Sequence, residues 1–344
     1  MNRKHFLSSL AASSLIPTVG FHRPFSLPGT PVSGKETFII PPYLKPGDTI
    51  GVTCPAGHLG PDELEPARTT LESWGFKLRI GSTVGMRDFT FGGTDEERAA
   101  DFQQMLDDHT IRAILCGRGG YGCVRIIDRL DFSRFSEHPK WIIGFSDITV
   151  IHAHLSHHYR VASIHSKMCN SFPYRLGEAE PGQLESLLSI RTALTGGKIS
   201  YPLVPDPANR PGQAVGILAG GNLKTIETLA GTTSDLKTEG TILFVEDVGE
   251  YLYSIDRMFW NLKRTGKLDK LAGLLIGGFK VKPDEEGDDF GSSVYNIVHD
   301  HVANYHYPVC FNFPVGHQKI NYALKCGVRH ELRVSTDRVT FKEI

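Results

Sequence analysis

In the run WIIGFSDITVIHAH, residues 141–154, one serine stands where a buried-strand pattern passes into a helical repeat. Ile148, Ile151 and Leu155 share one helix face, which leaves the turn and Ser146 exposed at the carboxyl end of the strand. Ligands bind at that edge of a parallel sheet. A hydroxyl so placed lies beside the free N–H groups of a first helical turn, which can hold the oxyanion of an acyl-transfer intermediate. The amide of Asp147 is the natural first donor. The match to the hydrolase turn Gly-x-Ser-x-Gly is partial, because Ile148 stands in place of the second glycine. A serine that merely caps its helix fits the same pattern, so the assignment rests on partners.

Residues 117–122, Gly-Arg-Gly-Gly-Tyr-Gly, also follow a strand-like run and fall on the same sheet edge. Their glycines permit close backbone approach. An N–H of the Gly119-Gly120 turn is a candidate second oxyanion donor, and Arg118 can pair with a carboxylate. A dinucleotide-binding turn is the rival reading, but the glycine order differs, the loop follows the third strand, and no acidic residue closes a suitable next strand.

A nucleophilic serine needs a base, and the base needs an orienter. His152, His154, His157 and His158 point several ways around the helix leaving the turn, without a carboxylate at metal-ligand spacing. His317 instead ends Asn312-Phe-Pro-Val-Gly-His317, a loop directly after a short strand. Ile242-Leu-Phe-Val-Glu-Asp247 runs four apolar residues into Glu246 and Asp247. A carboxylate at the tip of a buried strand costs desolvation unless it finds a partner, and histidine is one. An acid facing water is the plain alternative.

Alternating strands and helices must carry these residues. Strand patterns at 49–54, 76–80, 111–116 and 141–145 enclose helix patterns at 62–74, ended by Gly75, and after Thr94, whose capping box closes on Glu97. Further strands are predicted at 214–218, 241–245, 271–276 and 309–311, with helices at 223–229, around Ile255, Met258, Phe259 and Leu262, and up to about Tyr305. The order argues an α/β class: an N-terminal parallel-sheet domain over 38–175, a Pro- and Gly-rich connection over 176–210, and a smaller C-terminal α/β domain over 211–344. Lys and Arg total 37 against 38 acids, so charge gives no reason to expect nucleic acid or an anionic membrane surface as partner. The six cysteines lack Cys-x-x-Cys spacing and read as buried thiols, and no metal site emerges.

GRGGYG, IIGFSDIT, GGNLKTI, LFVEDVGE with SIDRM, and PVGHQKINYALKCG, in this order between about Pro41 and Val339, resemble the LD-carboxypeptidase family, the muramoyl-tetrapeptide carboxypeptidases. The resemblance implies a flavodoxin-like or glutamine-amidotransferase-like N-terminal domain and a Ser-His-Glu triad divided between the domains. Ser146 matches the nucleophile, Glu246 the acid and His317 the base, with the amide of Asp147 and the Gly119-Gly120 turn as the oxyanion region. The implied activity is removal of the terminal D-alanine from an L,D-bond in a peptidoglycan tetrapeptide, without metal or cofactor. The implied partner is a small peptide or muropeptide, with a homodimer allowed. A microcin-C-type self-immunity peptidase acting on acyl-nucleotide conjugates is the alternative within the family, and Phe89, Phe91 or Trp260 could then offer a platform for the base. A non-catalytic muropeptide-binding protein would not need the serine, glutamate and histidine that this chain keeps.

Residues 1–34 differ from the rest: a basic MNRKHF, a mostly apolar run from Phe6 to Val19, and a Pro/Gly-rich stretch to Gly34. That is the layout of a secretory signal, and the apolar run is short for a membrane span. Asn-Arg-Lys-His-Phe-Leu resembles a twin-arginine export signal with Lys4 in the second arginine's place. The leader departs from well-known family members, which work in the cytosol. It predicts an exported, periplasmic protein; the alternative is a leader kept on a cytoplasmic one. If it is a signal, N-terminal sequencing of protein recovered outside the cytoplasm finds a mature chain beginning between Val19 and Glu36; full-length protein found only in the cytosol refutes it.

Overall fold

The structure, a computed structural model, describes residues 37–344; the leader read at 1–34 lies outside the described residues. The first half runs β1 (Thr49–Thr53), α1 (Pro61–Ser73), β2 (Lys77–Ile80), α2 (Asp95–Asp107) and β3 (Ile111–Cys116). It continues with α3 (Cys123–Ile126), α4 (Ser133–Glu137), β4 (Trp141–Gly144), α5 (Thr149–His154) and β5 (Ser163–His165). Then come α6 (Pro181–Leu194), β6 (Ser200–Leu203), β7 (Gly212–Asn222), α7 (Leu223–Thr228), β8 (Thr241–Val248) and α8 (Leu252–Arg264). The chain ends with β9 (Gly273–Lys280), α9 (Val294–Val302), β10 (Val309–Cys310), β11 (Leu324–Cys326), β12 (Arg329–Val334) and β13 (Val339–Glu343).

These strands form two sheets, ordered β11-β5-β4-β3-β1-β2 and β10-β9-β8-β7-β12-β13-β6. In the first, β2-β1-β3-β4-β5 are parallel, the flavodoxin-like order, whose ligand crevice opens outside the carboxyl ends of the strands near β1 and β3. β3 and β4 are almost wholly buried, as strands covered on both faces must be. The Thr94 capping box forms as the spacing predicts, with the Glu97 N–H donating to the Thr94 hydroxyl at 3.2 Å and the Thr94 N–H to Glu97 Oε2 at 2.8 Å. Gly75, with φ at +93°, turns the chain after α1. All six cysteines are free and buried.

The stretch 176–210, read from sequence as a connection, instead contains α6 and β6. Leu187, Ile190, Ala193 and Leu194 bury one face of α6 in the core of the first sheet, while β6 pairs with β13 at the edge of the second. Late in the chain, β11 pairs antiparallel with β5, Leu324 opposite His165. The halves also share a core, in which Ile148, Val150 and Ile151 from the turn and helix after β4 join Leu223, Ile226, Leu243 and Val245. At roughly 1.5–3 kcal/mol for each large apolar side chain, this seam holds the two sheets as one body.

Arg98 of α2 fixes the loops around the crevice. It is fully buried, and its guanidinium donates to the carbonyls of Pro55 at 2.5 Å, Gly122 at 3.0 Å and Gly93 at 3.1 Å and pairs with Asp95. Arg98→Ala takes this buried donor from the carbonyls of Pro55 and Gly93 and leaves Asp95 with Arg125 alone at hydrogen-bond distance. It is expected to lower stability by about 3 kcal/mol, read from urea unfolding.

Candidate active site

Four buried residues of β4 carry the chain to Gly144, and Phe145 continues it in an extended conformation. Ser146 then adopts φ of +62°, the left-handed region that a residue with a Cβ enters only when its surroundings hold it there. A 3₁₀ turn, Ser146–Ile148, leads directly into α5. The sharpness of the bend explains the neighbouring residues. A Cβ at Gly144 would lie 2.8 Å from Ile148 Cγ1, so the small residue stands before the turn and the isoleucine folds back over it. The serine caps neither following helix, and its hydroxyl has no hydrogen-bond partner among the described residues.

The glycine loop after β3 closes over this turn. A Cβ on Gly119 would approach Ser146 Cβ to 2.9 Å and Oγ to 3.1 Å, so only glycine lets the two loops come this near. Asp147 joins them, since its Oδ2 accepts the Cys123 N–H at 2.7 Å; burial pushes its carboxyl above the usual range, and that hydrogen bond opposes the shift. Among the described residues, the main-chain N–H groups of Gly119, Gly120 and Asp147 donate to no other main-chain group. Arg118 goes elsewhere. Its guanidinium faces Glu63 of α1 at 3.7 Å, and it is not among the residues lining the cavity at Ser146.

Glu246 and Asp247, consecutive at the end of β8, part to opposite tasks. Glu246 is fully buried, and its Oε2 accepts His317 Nδ1–H at 2.6 Å and the His317 main-chain N–H at 3.2 Å. Nε2 of the imidazole is thereby left for another partner, with Nδ1 carrying the proton. The His317 ring packs against Phe145, centroids 4.9 Å apart, one residue before the serine; among the described residues no hydrogen bond joins Ser146 to His317. Asp247 accepts the N–H groups of Val248 at 2.7 Å and Lys224 at 2.8 Å and the Asn222 amide at 3.3 Å. Burial raises its carboxyl to about 6 against these hydrogen bonds.

A cavity of about 350 Å³ opens between the halves, walled by Gly120, Ser146 and Asp147 on one side and Asn222, Lys224 and Asp247 on the other. Lys224, paired with Glu227 at 3.1 Å, is the lysine of that wall, and sequence reasoning passed over it and Asn222 as site residues. Their signal was present: a polar pair where a strand passes directly into a helix. The helix histidines disperse into packing: His152 Nε2 meets the Gly144 carbonyl at 2.9 Å, His154 the Ser234 hydroxyl at 2.8 Å and His157 the Asp235 carbonyl at 2.7 Å. Among the described residues, no group of three or more His, Cys, Asp or Glu side chains is arranged to hold a metal ion.

A flavodoxin-order sheet bearing a strained serine, facing a second α/β sheet bearing a buried Glu–His pair, defines a two-domain hydrolase-like architecture. The chain belongs to the LD-carboxypeptidase family: residues 50–166 match the model of the family's N-terminal domain and residues 215–332 that of its C-terminal domain. It is 32% identical over 295 residues to the probable murein peptide carboxypeptidase of Bacillus subtilis, covering 84% of this chain and 90% of that protein. It is 26% identical over 335 residues to the microcin C7 self-immunity protein of Escherichia coli, covering 87% and 94%. Among solved structures, muramoyltetrapeptide carboxypeptidase from Oxalobacter formigenes superposes with a TM-score of 0.77 at 27% identity, covering 86% of this chain and 98% of that one.

The contact between Gly119 and the serine can be tested directly. Gly119→Ala drives a methyl group into Ser146 and is expected to lower its peptidase kcat by about 100-fold, with the loop displaced but the overall fold kept. Steady-state kinetics beside thermal melting read both.

Proposed function

We propose that this chain is a serine carboxypeptidase that cleaves the L,D-bond to the terminal D-alanine of a peptidoglycan tetrapeptide. The observation that carries the reading is the left-handed, unpartnered Ser146 beside a ring, Phe145, against which the Glu246-bound His317 packs. In this mechanism Glu246 fixes the tautomer with the proton on Nδ1, so that Nε2 of His317 takes the proton of the Ser146 hydroxyl as its oxygen attacks the carbonyl carbon before the terminal residue. The N–H of Asp147 and one from the Gly119-Gly120 turn receive the negative charge on the tetrahedral oxygen. His317 returns the proton to the departing amine of D-alanine. Water, deprotonated by the same imidazole, then frees the tripeptide from Ser146.

The relatives named for murein peptides support the substrate class, and turnover of cell-wall peptides is the role that follows. The leader supports export, which would set the enzyme against muropeptides in the periplasm. A second reading is cleavage of an acyl-nucleotide conjugate. It is favoured by Tyr121, half-exposed on the cavity wall and 5.9 Å from the Phe91 ring, which together offer an aromatic surface for a base. Phe89 is 87% exposed, whereas Trp260 sits edge-on to His301 on α8, away from the cavity lining.

Incubation of the purified protein with a disaccharide-tetrapeptide should release one alanine, followed by mass. Ser146→Ala is expected to lower that rate by about 10⁴-fold or more with the fold retained. Unaltered turnover by the folded variant removes Ser146 from the mechanism. Cleavage of an aminoacyl-sulfamoyl nucleotide in place of the muropeptide selects the second reading.

A further inference from the structure

Residues 319–323, just beyond His317, lie along α6 and touch it one after another. Lys319 pairs with Glu180, and the Tyr322 hydroxyl donates to Glu185 Oε2 at 2.7 Å. The N–H groups of Asn321 and Ala323 donate to the hydroxyls of Ser186 at 3.0 Å and Ser189 at 2.8 Å. Those hydroxyls are themselves held. Ser186 donates to the Gly182 carbonyl at 2.7 Å and Ser189 to the Ser186 carbonyl at 2.6 Å, so the oxygen of each is turned to accept from the segment. Gly182 lets Ile320 approach, since a Cβ there would stand 2.6 Å from Ile320 Cγ1.

Asn321 links this docked segment to the histidine. Its side chain is fully buried, and its Oδ1 accepts the Gly316 N–H at 2.9 Å. Gly316 has φ of +99°, and a Cβ on it would lie 2.5 Å from Glu246 Cβ, so its backbone is pressed on the carboxylate that the next residue binds. From Ser186 the path is continuous: hydroxyl, Asn321 backbone and amide, Gly316 N–H, then the His317 N–H and Nδ1 on Glu246.

We propose that Asn321, seated on Ser186 of α6, is a positioning residue for the reaction: it fixes the Gly316-His317 backbone so that the imidazole meets Glu246 and faces the serine. The inference rests on the triad reading above. Without the Oδ1 acceptor the buried Gly316 N–H must seek another partner, the loop moves, and His317 moves with it. A displacement near 1 Å at a catalytic group costs about 100-fold in rate.

The test uses Asn321→Leu, which keeps the side chain's branching but loses the acceptor, and Asn321→Asp, which keeps an oxygen for the Gly316 N–H. On the disaccharide-tetrapeptide, Asn321→Leu should lower kcat by about 100-fold with KM within about twofold. Asn321→Asp should recover most of the loss. Proton NMR supplies a readout independent of turnover: the far-downfield Nδ1–H signal of His317, identified by its absence in His317→Gln, should be lost in Asn321→Leu and return in Asn321→Asp. If Asn321→Leu does not fold, Ser186→Ala carries the test, with about a tenfold fall in kcat and a weakened downfield signal. Wild-type kcat and an unmoved signal in the folded variant overturn the proposal. So do equal losses of kcat in the Leu and Asp variants with the downfield signal alike in both. A signal that responds as expected in a protein that cleaves no muropeptide leaves the positioning role standing and removes the peptidase reading instead.

Discussion

Main-chain hydrogen bonds tie residues 319–326 to α6 and β5, elements of the half that carries the serine, while the strands before and after belong to the other sheet. His317 stands at the point where the chain crosses over. Its position relative to Ser146 is therefore set by backbone pairing to β5 and by the α6 side chains, Ser186 and Ser189, that accept the segment's N–H groups. Lys325, fully buried between Glu343 at 3.0 Å and the Gly197 carbonyl at 3.0 Å, pins the crossing segment further, and removing such a partner leaves a buried charge uncompensated. The shared core of α5 and α7 closes the other side of the seam.

Within that frame the site is built from charges that burial would normally forbid. Glu246 and Asp247 are buried at the end of β8 and Asp147 in the turn after β4, and each is made tolerable by N–H donors close at hand. Their work differs with their partners. Glu246 receives a histidine, Asp247 ties the start of α7 to its own strand, and Asp147 locks one loop over another. Two adjacent carboxylates can act so differently because successive residues of a strand face opposite sides.

Much of this was legible in the sequence, for reasons that differ by residue. The strand ends at Ser146 and Glu246 could be read because apolar runs stop abruptly at polar groups there, and His317 because it stands in the loop after a short strand; the structure brings Glu246 and His317 into contact. The helix cap at Thr94 follows from side-chain reach alone. β5 could not be found: Ser163–His165 is three residues long, and its burial comes from β4 and β11 on either side. α6 was hidden by the Pro and Gly at its start, although Pro181 in the first turn and the spacing of Leu187, Ile190 and Leu194 were themselves helix signals. Arg118 shows a different limit. A residue type states which partner suits it, but the side of the loop on which it emerges is decided by packing, here toward Glu63. Ser146 adopts a backbone conformation that its residue type does not announce.

The pairing of β11 with β5 also orders events in time. While the polypeptide is being made, the serine-bearing sheet has all five parallel strands by residue 165, yet the outer edge of β5 stays open until Leu324–Cys326 emerges, more than a hundred and fifty residues later. Unpaired edges invite the wrong neighbours. The same late strand that closes this edge brings the histidine loop against α6 a few residues earlier. The chain thus completes its first sheet and seats the His317 loop in one late stretch, and a product truncated before it would hold Ser146 without His317.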